Sequence, residues 1–172
     1  MCLFFVSIAI ELAIICCRSV ARKVPTNYTL LFIFTTCQAF YFSFVTTFYT
    51  QESVLVAAAM TAGMTVALTI YAFTTKTDFT VCGSLFFCIA VGMLMLMVVS
   101  MFMTFASWMH PVISAVLVVV YGLYLIYDTQ LIAGGGQYAL THDDYIVGAL
   151  LIYVDIMMLF LELLRLFGST NN

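Results

Sequence analysis

The segment "LIYDTQ" at 125–130 lies inside a long apolar run, and "LIYVDI" at 151–156 echoes it inside the next one. Each places one aspartate, Asp128 and Asp155, among residues otherwise suited to hydrocarbon. A carboxylate is among the most expensive groups to put there. Ionisable residues within spanning segments are rare, and they face the bundle interior or a water-filled cavity. The apolar runs therefore decide the fold, and the two aspartates pose the question of function.

Outward from this pair the chain stays apolar: 65% of its 172 residues are hydrophobic and 8% are charged. A soluble domain carries about 45–50% apolar and about 25% charged residues, so lipid must be part of the solvent here. The net charge of −3, with no basic cluster, argues against nucleic acid as a partner. The six cysteines show no C-x-x-C spacing and mostly fall within or at the ends of apolar runs. They read as reduced, small hydrophobes rather than as a disulfide or metal framework.

Spanning takes about 20 mostly apolar residues, and six runs qualify: about 1–17, 28–49, 54–73, 81–105, 111–133 and 145–167. The fifth starts after the His110-Pro111 pair and is ended by the three glycines of "GGGQYALTHDDY" (134–145). Short connections predict an all-α, polytopic bundle forming one domain over 1–172. Arg18, Arg22 and Lys23 lie between the first two runs and Lys76 between the third and fourth, whereas the second and fourth connections carry no Lys or Arg. The positive-inside rule makes the first, third and fifth connections cytoplasmic. Arg165 then falls near the far side. Six spans put both termini outside the cytoplasm, so a further helix before this chain is expected.

Polar residues repeat at helical spacing. Asp155 and Glu162 are seven apart and share a face, with Met158 between them. Tyr121, Tyr124 and Asp128 form one stripe, extended by Ser114; Ser7, Glu11 and Arg18 form another; Thr61, Thr65 and Thr69 form a third. The simplest packing turns these stripes inward. Asp128 lies about five residues, or ~7 Å, from the end of its helix, and Asp155 about eleven residues, or ~16 Å, into the next. Sequential antiparallel helices thus bring the two carboxyls within reach of each other. Two carboxylates in a low-dielectric site cannot both ionise cheaply, so the pair keeps a proton and titrates as a unit. Protonated, it latches two helices; deprotonated, it repels or accepts a hard cation such as Ca²⁺ through oxygen.

Blander readings compete. Interhelical polar contacts in membranes are typically worth under ~1–2 kcal/mol, and the threonine row reads as packing or helix back-bonding. Glu162 and Arg165, three apart near a helix end, read first as an interfacial pair. Met93, Met95, Met97, Met101 and Met103 wind around their helix and read as packing, not a metal box. His110 reads as an interfacial cap and His142 as a solvated loop residue.

Several motifs, in order, resemble the Bax inhibitor-1 family, and its lifeguard and Golgi anti-apoptotic branch most: "ARKVPTNYTLL" (21–31), "FYTQESVLVAAAMTAGMTVALTIYAFTTKTDFT" (48–80), "YDTQLI" (127–132), "DDYIVGAL" (143–150) and "IYVDIMMLFLELLRLFG" (152–168). The resemblance implies a seven-helix bundle with the last helix central, of which six helices are read here. It implies a pH-sensitive calcium leak that lowers stored calcium and opposes apoptosis. Asp128 and Asp155 match the family's latch, with Ca²⁺ held only in transit. Glu11, Gln38, Tyr121, Tyr124 and Glu162 are candidates for the ion path, and Gln38 stands near where some relatives carry glutamate. No cofactor is implied. The implied partners are the bilayer, calcium ions and protons, and apoptotic regulators of the Bcl-2 family. The implied residence is Golgi or endoplasmic reticulum membrane, or the plasma membrane.

Two other functions compete with a channel. A non-conducting membrane scaffold that regulates apoptosis would use the aspartates only to fasten helices. An intramembrane aspartyl protease also needs two aspartates on neighbouring helices. Its second aspartate is expected in a Gly-x-Gly-Asp context, and "LIYVD" lacks that, so the enzyme reading is the weaker one.

Overall fold

The computed structural model describes residues 2–102, 108–133 and 140–171. The helices are α1 (Cys2–Cys16), α2 (Arg18–Ala21), α3 (Thr26–Thr46), α4 (Gln51–Thr74), α5 (Gly83–Phe102), α6 (Met109–Ala133) and α7 (Tyr145–Phe167), with 3₁₀ turns at Phe79–Cys82 and His142–Asp144. The fold is an all-helical, polytopic membrane architecture. Five segments are long and apolar enough to cross a bilayer: Thr26–Thr46, Gln51–Thr74, Phe79–Leu96, Met109–Ala133 and Tyr145–Phe167. The first apolar run is helical over the 15 residues Cys2–Cys16 and is not one of these five.

Local chemistry sets the helix ends. Thr50 caps α4 by accepting a hydrogen bond from the Ser53 amide at 3.3 Å, and Glu52 in the first turn suits the positive end of the helix dipole. Asp78 caps the turn before α5, accepting from the Thr80 amide at 2.9 Å. Helix α6 starts at Met109 rather than after Pro111. Proline is tolerated there because a first-turn residue needs no intrahelical N–H bond. The glycines expected to end α6 lie outside the described residues.

The last helix is the hub. Helix α7 touches α1, α3, α4 and α6, and 44% of its most apolar window is buried, against 11–22% for the other four spans. Among the described residues helices α6 and α7 share the most extensive contact, and both pack on α4. Small residues permit this closeness. A Cβ on Gly148 would stand 3.1 Å from Ile132 Cγ1, and one on Gly122 would stand 3.3 Å from Leu68 Cδ1. One apolar cluster (Ala57, Leu159, Leu163, Leu164) joins α4 to α7, and another (Ile14, Ala21, Phe34, Ile146, Leu150) joins α1–α3 to the start of α7.

The connections sort by face as the parity of the chain requires. On one face Arg22 meets Asp144, and Gln130 at the end of α6 meets the α4–α5 connection. On the other, Tyr49 and Thr170 form an antiparallel bridge, and Arg165 lies toward this end of α7. Lys23 and Lys76 belong to the first face, so the basic residues of both connections share one side.

Candidate functional site

The inward stripes exist. Ser7, Asn27, Gln38, Thr61, Ser114, Asp128, Thr129, Asp155 and Glu162 are all buried in a bundle whose outer surface is rich in Phe, Leu and Val. At their centre Asp128 on α6 and Asp155 on α7 are 4% and 5% exposed, and their carboxyl groups hydrogen-bond each other. Antiparallel packing of α6 on α7 places them at one level, and a helix heptad repeats the match toward the far face. There Tyr121 stands in the electrostatic field of Glu162 as well as that of Asp155. Glu11 on half-buried α1 adds its own field at Asp155.

The arrangement leaves acceptor capacity unused. Asp155 Oδ2, Glu162 Oε2, Gln38 Oε1 and Thr65 Oγ1 are buried without a hydrogen-bond partner. A buried acceptor in this condition is costly and takes a proton, water or cation readily. Among the described residues no group of three or more His, Cys, Asp or Glu converges on one point. Ca²⁺ takes six to eight oxygens, so two carboxyls suit an ion in passage better than a resident one.

The other sequence candidates fall in different places. Glu162 pairs with Arg165 at 2.8 Å, as an i,i+3 contact, yet stays buried while Arg165 is exposed. It is thus both the interfacial pair and a member of the inward stripe. Tyr124 stands in the electrostatic field of Asp128 and Asp155, while its hydroxyl donates to the Phe86 carbonyl of α5 and its ring packs edge-on against Phe86. Tyrosine inside a membrane must give its O–H to some acceptor, and here α5 supplies it. Thr61 bonds back to the Ala57 carbonyl at 2.8 Å, which is the packing role read for it. Met93 is half-buried and Met95 is exposed, as a winding series requires; Met103 lies outside the described residues, as do the side chains of Met97 and Met101. The same holds for the side chains of Arg18 and His142.

Two polar stations were not anticipated. Gln130, two residues past Asp128, accepts from the Phe79 amide at 2.8 Å and donates to the Ala72 and Thr77 carbonyls at 3.2 and 3.0 Å. The Gln of "YDTQ" therefore staples α6 to both ends of the α4–α5 connection. At the same face the Arg22 guanidinium bonds both Asp144 carboxylate oxygens, at 2.8 and 2.9 Å, and the Thr141 hydroxyl at 3.1 Å. Thr141 in turn donates to Asp144 at 2.6 Å. The Arg22 and Thr141 hydrogen bonds hold the Asp144 carboxyl well below the usual carboxylate range. The usable sequence signal was charge parity. A basic first connection and an acidic fifth connection belong on one face.

These features define a class: a multi-pass helical membrane protein whose last two spans meet through paired aspartates. The family described as "Inhibitor of apoptosis-promoting Bax1" matches residues 1–172. The chain is 33% identical to protein lifeguard 3 of Homo sapiens and to that of Mus musculus, over 98% of its own length in each case. It spans 56% and 57% of those two relatives. It is also 29% identical to an uncharacterised protein of Campylobacter jejuni, over 98% of this chain and 73% of that protein. The chain belongs to the Bax inhibitor-1 family.

Proposed function

We propose that this chain is the core of a pH-sensitive, calcium-permeable leak pathway in an internal membrane, Golgi or endoplasmic reticulum, that lowers stored calcium and opposes apoptosis. The observation that carries this reading is the buried contact between Asp128 and Asp155, with Asp155 Oδ2 left unpartnered. With one proton between them the carboxyls join α6 to α7. When it leaves, two like charges face each other in a low-dielectric site, and separation of the helices relieves them. The same oxygens are then free for a hard cation. Glu11, Gln38, Tyr121, Tyr124 and Glu162 are the further residues of the proposed ion path. No residue is assigned a catalytic role.

The test is calcium efflux from loaded proteoliposomes. Flux that rises between about pH 6 and pH 8 supports the gate. A folded protein with no flux above empty liposomes at any pH removes it. The second reading, a non-conducting regulator that docks apoptotic proteins of the Bcl-2 class, draws on the closeness of α6 to α7 at Gly148, which suits a fixed fastening. In that case the aspartates hold helices together and conduct nothing.

A further inference from the structure

The α1–α3 hairpin is attached to the rest of the bundle in an uneven way. Helices α1 and α3 pack extensively on each other but meet α7 only along short stretches. Beside the edge-on contact of Phe34 with Tyr153, an open groove of about 580 Å³ between α3 and α7 is lined by Thr35, Thr36, Ala39, Phe40, Ser43 and Tyr153. The polar fastening lies at the two faces. On one, the Thr50 amide donates to the Ser169 carbonyl at 3.0 Å and the Asn171 amide to the Phe48 carbonyl at 2.9 Å. On the other stands the Arg22–Asp144–Thr141 cluster, next to Asn27, whose amide donates to the Tyr145 hydroxyl at 3.2 Å and to the Ala21 carbonyl at 3.1 Å.

Asp144 is the N-cap residue of α7, yet its side chain makes no cap hydrogen bond. Asp at this position ordinarily bonds the first free amides of its own helix. Here both oxygens are turned to Arg22 instead, in the bidentate geometry that fixes direction as well as distance. The residue that would stabilise α7 by itself is committed to joining α7 to the hairpin. Three turns along the same helix stands Asp155.

We infer that the Arg22–Asp144–Thr141 cluster is a clasp that positions α7: it fixes the height and rotation of the helix against the α1–α3 hairpin, and thereby where the Asp155 carboxyl meets Asp128. Arg22, Thr141 and Asp144 are positioning residues in this scheme, acting on the aspartate pair through the rigid first turns of α7. Its bearing on ion flux rests on the channel reading, while the clasp itself does not.

The experiment uses the whole chain in liposomes, with Arg22→Glu, Asp144→Arg and the two combined. One readout is hydrogen exchange of the α7 amides at 145–150. The other is the infrared band of the protonated carboxyl pair, followed against pH and assigned with Asp155→Asn. Exchange is expected to rise about tenfold in each single variant, the scale of losing one bidentate charged contact. The pH midpoint of the band is expected to move by about half a unit or more. The swapped pair restores both. Arg22→Lys, which keeps the charge but loses the fork, falls between parent and Arg22→Glu and serves if the swap does not fold. Parental exchange in the single variants overturns the clasp. Faster exchange with an unmoved carboxyl band overturns its positioning role and leaves a fastening only. Neither readout needs ion flux, so a chain that conducts nothing still tests the clasp.

Discussion

Two of the polar pairs that hold α7 are opposites. Asp144 at the membrane face is joined to Arg22, a partner of opposite charge, and the Arg22 side chain is 37% exposed. Asp155 at mid-depth is joined to Asp128, a partner of its own kind, with both side chains almost fully buried. The first pair is satisfied when both groups are charged. The second is satisfied only when a proton is present. On the proposed reading, a helix fastened by one constant contact and one conditional contact has a fixed end and a releasable middle. That contrast is the physical basis for reading α7 as the element that responds to pH.

The contrast disappears when the conditional pair is made permanent. Asp155→Lys replaces the shared proton with a fixed ion pair to Asp128, which needs no proton between the groups. It should abolish any pH response of flux, measured as efflux against pH. A pH response that persists in this variant would place the sensor elsewhere. Next in size, Gly148→Leu drives a side chain into Ile132, which stands only 3.1 Å from a bare Cβ. Overpacking of this kind costs about 1–3 kcal/mol, and the aspartates two turns away should separate, seen as loss of the protonated-carboxyl infrared band. An unchanged band would mean that α6 and α7 hold their register without this close approach.

The constant pair answers to acid alone. Asp144 is depressed in the folded state. The stability it contributes is therefore fully present above its unfolded value, about 3.9, and is lost as pH falls through the folded value. The clasp accordingly stays closed across the physiological range. Parent and Asp144→Asn should differ in thermal unfolding by a constant amount from about pH 5 to pH 8 and converge only in strong acid. A difference that varies near neutrality would contradict this. Smallest in its effect on the aspartate pair, Gln130→Ala removes three hydrogen bonds at the part-exposed α4–α5 connection and should cost about 1–3 kcal/mol of stability, with the pH response intact.

Much of this was legible in the sequence. Hydropathy is a long-window property, so five of the six runs return as spanning helices, the expected end of the fourth, near 105, lying outside the described residues. The offsets of Asp128 from its helix end and of Asp155 from the start of the next were enough to anticipate that these two carboxyls meet. What the sequence concealed depended on direction rather than period. The Tyr121–Tyr124–Asp128 stripe is real, but a stripe has width, and the hydroxyl of Tyr124 turns to α5 while Tyr121 turns to α7. The clasp was hidden for another reason. An Asp at a helix start reads as that helix's own cap, and nothing local reveals that a guanidinium 122 positions away will outcompete the helix amides for it.

If a proton shared by Asp128 and Asp155 closes a calcium pathway, neutralising either carboxyl must remove the pH control. The decisive measurement is calcium efflux from proteoliposomes carrying the parent chain, Asp128→Asn or Asp155→Asn, between about pH 6 and pH 8. Flux should rise with pH in the parent and no longer depend on pH in either variant. Parental pH dependence in both variants, or no flux from the folded parent at any pH, would contradict a proton-closed pathway.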